Sequence, residues 1–314
     1  MNIPFETPEF VQEARNSRKG KRLWLEIIIF IAVFFAATTL ESIPSVVHIF
    51  ISIFSSNEYL AIISSGNTSK FMEMLNSNDL YTIVSLFSTI IMTGTVIIYC
   101  RFIEKRKLRT MGFIKKDLLK EYAAGLVIGA LIFSFAVLIC TASGTLAFNG
   151  ISPDFAAGTI ILFLLSYMVQ GMSEEVLCRG YFMVSVSRKS SLVAAVIANS
   201  VVFACLHLLN PGISVLAFIN LVLFGVFASL YMLRRGSIWG AAAIHSSWNF
   251  AQGNLFGISV SGTGRTTSIL SSALSSSGSL INGGAFGLEG GLAVTIVLLA
   301  GIASVMFVPK KAGY

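Results

Sequence analysis

Charge is what this chain lacks most. Of 314 residues only 12% are Asp, Glu, Lys or Arg, while 55% are hydrophobic. Soluble domains carry about twice that charged fraction. The shortage excludes a soluble globular domain and, with long apolar runs, points to several helical membrane spans rather than a barrel of short alternating strands. Cysteine is also scarce. Cys100, Cys140, Cys178 and Cys205 lie in or beside apolar stretches without a CxxC pair. That argues against a disulfide framework and a zinc knuckle, and leaves each as a small buried hydrophobe. There are only three histidines, His48, His207 and His245, and no HExxH pair. No cleavable signal precedes the first apolar run. Some 22 mostly polar residues come first, and Arg15, Arg18, Lys19, Lys21 and Arg22 crowd its entrance. This reads as a retained first span with a cytoplasmic N-terminus.

The net charge of +7 does not indicate a nucleic-acid partner, because the basic residues gather in short segments between apolar runs. Spans of about 20 apolar residues are expected near 23–40, 80–100, 121–146, 157–186, 191–209, 213–233, 237–256 and 291–308. The short run 44–54, preceded by Pro44, reads as re-entrant or interfacial. Eight spans place both termini on one side. Of the 22 Lys and Arg residues, 19 then fall in cytoplasmic segments; Lys70 and Arg265 fall in outer ones and Arg179 inside a span. Such a bias fixes orientation, predicting a multi-pass cell-membrane protein with both termini cytoplasmic. The fold class expected is all-α, with about eight transmembrane helices around a polar cavity.

The organisation read from this pattern is a cytoplasmic segment 1–22, first membrane helices and an outer loop over 23–100, a basic cytoplasmic loop 101–120, a core 121–308 and a tail 309–314. Within the core, 257–290 is rich in Ser and Gly and ends near GGAFGLEGG. Its composition reads as a flexible outer loop. There is no internal repeat, which lowers the case for a transporter.

What polarity there is inside the spans is concentrated. The stretch GMSEEVLCRG places Glu174 and Glu175 side by side, with Arg179 one turn beyond Glu175. Ionised groups are costly in a bilayer and mark function by default. Phe203 with His207, and His245 with Asn249, are two further pairs spaced i,i+4, so each pair projects from one helix face. Glu175 and Arg179 share that spacing and can pair, while Glu174 points about 100° away. Gln170, one turn before Glu174, is a candidate for outer support; Asn199 and Asn220 read as packing amides, and His48 as inert.

A carboxylate in a poorly solvated place suits a general base. A histidine can orient a water, and a second histidine with an asparagine amide can donate to a tetrahedral oxyanion. These are the parts for peptide-bond hydrolysis by water. Glu174, His207 and His245 also match the count of catalytic zinc ligands, so the cofactor is either none or one divalent metal such as zinc. A Glu–Arg pair can instead be helix–helix glue.

In these residues the chain resembles the CAAX-protease and bacteriocin-processing (CPBP, formerly Abi) membrane endopeptidases. Their pattern is EExxxR, then FxxxH, then HxxxN, met here by Glu174-Glu175 with Arg179, Phe203 with His207, and His245 with Asn249. The Trp248-Asn249-Phe250 setting and GGAFGLEGG resemble the bacterial branch. The resemblance covers roughly residues 100–308. It implies an eight-helix intramembrane protease whose site opens toward the cytoplasm and the inner leaflet. It further implies that Glu174 with His207 activates water, that His245 and Asn249 form the oxyanion site, and that Glu175, Arg179 and Phe203 support them. The implied partners are the lipid bilayer and a membrane-associated peptide or protein: a prenylated CAAX protein in eukaryotic members, and a peptide pheromone or a bacteriocin in the bacterial branch. The alternative is a non-catalytic membrane immunity or regulatory binder that uses the same cavity.

Overall fold

The computed structural model describes residues 6–17 and 20–307. Arg18 and Lys19, with Lys310 and Lys311 and the tail 309–314, lie outside the described residues.

The chain runs α1 (Glu9–Ser17), α2 (Leu23–Ser55), α3 (Asn57–Ser64), α4 (Thr68–Asn76), α5 (Asp79–Ile98), α6 (Leu118–Ala142), β1 (Leu146–Ile151), α7 (Ala157–Glu175), α8 (Val184–Ser187), α9 (Leu192–Cys205), α10 (Val215–Arg235), α11 (Ile238–Phe250), β2 (Leu270–Leu274), α12 (Ser279–Asn282) and α13 (Leu292–Phe307). It is an all-α polytopic membrane protein with one small exception, the antiparallel pair β1–β2. Among the described residues five helical stretches are long and apolar enough to cross a membrane: 23–55, 79–103, 118–142, 157–187 and 215–235. Leu192–Cys205 and Leu292–Phe307 are shorter apolar helices.

Two expectations need correction. The run 44–54 is not re-entrant: it continues α2, a single helix of 33 residues with Pro44 inside it. Proline removes only one intrahelical hydrogen bond, and neighbouring helices can make that loss tolerable in a membrane. Ser45 meets Ser85 of α5 one residue later, at 2.9 Å. Nor is 257–290 a loose loop. β2 pairs with β1, short helical turns follow, and Glu289 anchors the end of the segment. Composition reports chain freedom only when nothing else holds the backbone, and here buried side chains do.

The centre of the bundle is α11, buried on nearly all sides, as expected for a helix without a polar face. It packs chiefly against α6 and α7. The close approach depends on glycine. A Cβ on Gly129 would overlap the Ile244 carbonyl and the Ser247 hydroxyl, one on Gly125 the Gly240 carbonyl, and one on Gly171 Ser246. Gly125 and Gly129 form the small-xxx-small spacing that lets membrane helices touch through their backbones.

At the end where α1 lies, a buried carboxylate gathers the chain. Glu104 contacts Arg106 at 3.0 Å, Arg188 at 3.1 Å and Lys21 at 3.5 Å, and accepts from Ser185. α1 docks nearby by burying Phe10, Val11 and Ala14, while Arg15 donates to the Ser187 carbonyl.

Replacing Gly129 with Leu is expected to lower stability by about 1–3 kcal/mol or more, since the backbones must separate. Thermal unfolding in detergent measures this. Gly94, whose Cβ would meet nothing within 4 Å, is the control and is expected to tolerate Ala.

Candidate active site

The three motifs converge on one cavity of about 360 Å³. Glu174, Phe203, His207, His245 and Asn249 all line it. Glu174 comes from α7, Phe203 from α9 with His207 in the turn just past its end, and His245 and Asn249 from α11.

Glu175 is fully buried behind them. Its Oε1 accepts from Arg179 Nη1 at 2.8 Å and from His245 Nδ1 at 2.9 Å. A carboxylate oxygen only accepts, so Nδ1 carries the proton and Nε2 is left facing the cavity. There it lies 3.6 Å from Glu174 Oε2, too far for a good hydrogen bond. His245 thus sits between the two glutamates. Arg179 is itself buried, and its guanidinium lies 4.6 Å from the centre of the Phe203 ring. The same ring contacts His207 at 4.8 Å and His245 edge-on at 6.0 Å. Phe203 is therefore the plate against which the cation and both imidazoles are set.

Glu174 is held differently. Oε1 accepts from Gln170 Nε2 at 2.6 Å, and Gln170 Oε1 in turn accepts from Asn249 Nδ2 at 3.0 Å. Asn249, Gln170 and Glu174 form a chain that fixes the carboxylate. An amide nitrogen carries two hydrogens, so Asn249 keeps a second for the cavity. Glu174 Oε2 is buried without a hydrogen-bond partner. His207 Nδ1 lies 2.9 Å from the Phe203 carbonyl; a carbonyl accepts, so its Nε2 is an acceptor when the ring is neutral.

The expected support from Gln170 is therefore a direct contact. Asn199 and Asn220 pack elsewhere: Asn199 donates to Ser229, and Asn220 donates to the Glu289 and Gly291 carbonyls. His48 is on α2, with its ring 6.1 Å from that of Tyr81.

Two glutamates at the cavity were not singled out in the sequence. Glu41 lines it from α2, with Oε2 buried and unpaired. Reading 23–55 as one helix places this charge deep inside an apolar span, which is the signal for it. Glu289 lines the far wall, accepting from Trp248 Nε1 at 3.1 Å and from the Ser261 amide and hydroxyl, both at 2.8 Å. It ties the segment after α11 back onto α11, beside the site.

Two of the three motif helices widen within or just past their motifs. A π-helical run Val176–Met183 begins at once after Glu175, and another, Ala251–Leu255, begins two residues after Asn249. Such insertions recur at functional sites.

Zinc chemistry needs three converging protein ligands. His245 Nε2 and Glu174 Oε2 approach each other, but among the described residues no three His, Cys, Asp or Glu side chains group closely enough to hold a metal ion. The side chains as placed do not fit the three-ligand set.

Residues 156–251 match the family model described as Rce1-like, type II CAAX prenyl endopeptidase Rce1-like. The match covers under a third of the chain and contains all three motifs. The match supports the CAAX-protease and bacteriocin-processing family for this segment, and with it a membrane endopeptidase. No curated protein and no solved structure matches the chain.

The two glutamates differ in what their loss would do. Glu175→Gln leaves the buried Arg179 without its counter-ion, and is expected to cost about 3–5 kcal/mol. Glu174, whose side chain is 27% exposed, carries no such partner, and Glu174→Gln is expected to change stability far less. Denaturation midpoints of the two variants in one detergent decide this.

Proposed function

We propose that the protein is an intramembrane endopeptidase that hydrolyses a peptide bond of a membrane-associated peptide or small protein with water as nucleophile. The observation that supports it most is the Glu174 carboxylate at the cavity, fixed through Oε1 by Gln170, with Oε2 unpaired and 3.6 Å from His245 Nε2.

In this reading a water lies between Glu174 and His207, whose Nε2 accepts one of its hydrogens and orients it. Glu174 takes the other proton as the water oxygen bonds to the scissile carbonyl carbon. The carbonyl π pair moves to its oxygen, and the free Asn249 N–H donates to that oxyanion. His245 adds an Nε2–H when its ring carries a second proton. The C–N bond then breaks, and Glu174 returns its proton to the leaving nitrogen. One carboxylate serves as base and then as acid. Glu175 and Arg179 touch no reacting atom; they set the tautomer and orientation of His245, and Phe203 sets its angle. No step is routed through a metal.

Cleavage of membrane peptides by the purified protein tests this. Glu174→Gln is expected to lower kcat/KM by at least about 100-fold, the usual scale for loss of a general base. Asn249→Ala is expected to cost about 10²–10³ in kcat through loss of an oxyanion donor. Activity is expected to persist in EDTA or phenanthroline; loss that zinc alone restores would overturn the metal-free mechanism. A protein that cleaves nothing, and whose Glu174→Gln variant keeps its cellular phenotype, would be a binder.

A further inference from the structure

The cavity opens at one end of the bundle. Of the residues lining it, Asn76 and Thr263 are exposed. Asn76 ends α4, and Thr263 lies in the segment after α11. Asn210, Ser261 and Thr266 line the cavity from the same end. The mouth is thus built by the turns that join α4 to α5, α9 to α10, and α11 to α13.

The basic residues are in the other set of turns. They precede α2, fill 101–120, separate α8 from α9 with Arg188 and Lys189, and close α10 with Arg234 and Arg235. The segments that bear the mouth, 57–79, 206–214 and 257–290, hold only Lys70 and Arg265. Several helices run from one set to the other: α9 leaves the basic turn at 188–191 and ends beside His207, α10 returns from there to Arg234, and α11 leaves again for the mouth. Mouth and basic turns are therefore at opposite ends. Short turns rich in Lys and Arg stay on the cytoplasmic side.

We infer that the cavity is entered from the outer face of the membrane, and that the segment to be cut reaches it from that side. This is the opposite of the cytoplasmic access that the family resemblance implies. The mouth residues carry amides and hydroxyls, groups that pair with a peptide main chain, whereas a lipid tail would leave them unpaired. Given the peptidase reading, the reaction that must supply the substrate is translocation. The peptide is one already exported, or the outer tail of a membrane-spanning protein.

Thiol labelling of the full chain in intact cells tests the access side. Cys205, the one exposed native cysteine, is first replaced by Ser; Cys100, Cys140 and Cys178 are buried. Thr263→Cys then reports the mouth, and Lys116→Cys the basic end. A charged, membrane-impermeant maleimide is expected to label Thr263→Cys before permeabilisation and Lys116→Cys only after it. Labelling of Lys116→Cys in intact cells, or of Thr263→Cys only after permeabilisation, overturns the inference. Asn76→Cys repeats the mouth measurement if Thr263→Cys fails to accumulate. No turnover is required, so the result stands whichever way the Glu174→Gln cleavage experiment falls.

Discussion

A single buried carboxylate organises the middle of this molecule. Glu175 has no access to solvent and meets two nitrogen partners, one from its own helix and one from α11. Apolar residues of the same volume would join α7 to α11 as well, since a buried ion pair is poor evidence for stability. They would not hold an imidazole by one nitrogen and turn the other toward a second carboxylate. The pair therefore provides orientation, and Arg179 carries the constraint onward to Phe203, against which His207 also lies. Three helices are set by contacts that begin at one side chain.

Polar anchors also act at other depths. Near α1, Glu104 collects Arg106, Arg188 and Lys21, joining segments far apart in the chain. At the far wall of the cavity, Glu289 collects Trp248 and Ser261. Between them, glycines bring α6 and α7 onto α11. Buried polar groups are costly unless paired, so each anchor penalises arrangements that would leave it alone. Lipid supplies little of the hydrophobic drive that packs helices in water, and these anchors with close backbone contact take its place.

The helical membrane architecture and the converging motifs were legible because both follow from simple rules. Apolar run length finds a span, and i,i+4 spacing puts Phe203 with His207, and His245 with Asn249, on one face each. What escaped depended on distant partners. Glu41 was hidden by ending the first span at residue 40; Pro44 looked like a stop, yet the helix passes through it. Serine and glycine in 257–290 signalled freedom, whereas Glu289 and the β1 pairing remove it. The π-helical runs have no sequence signature of their own. The partner of His245 was also open: spacing brought it to the cavity, but only packing decides that Nδ1 goes to Glu175 while Asn249 turns to Gln170.

The far wall of the cavity has a consequence in time. Glu289 comes after every motif residue in the chain, and the groups it binds, Trp248 and Ser261, are made before it. A ribosome delivers α7, α9 and α11 to the membrane while this wall is still missing. The glutamates and histidines can assemble during synthesis, but the chamber around them closes only when the Gly283–Gly291 stretch arrives. Until then a nascent chain has the reactive groups and most of their surroundings with one wall still open.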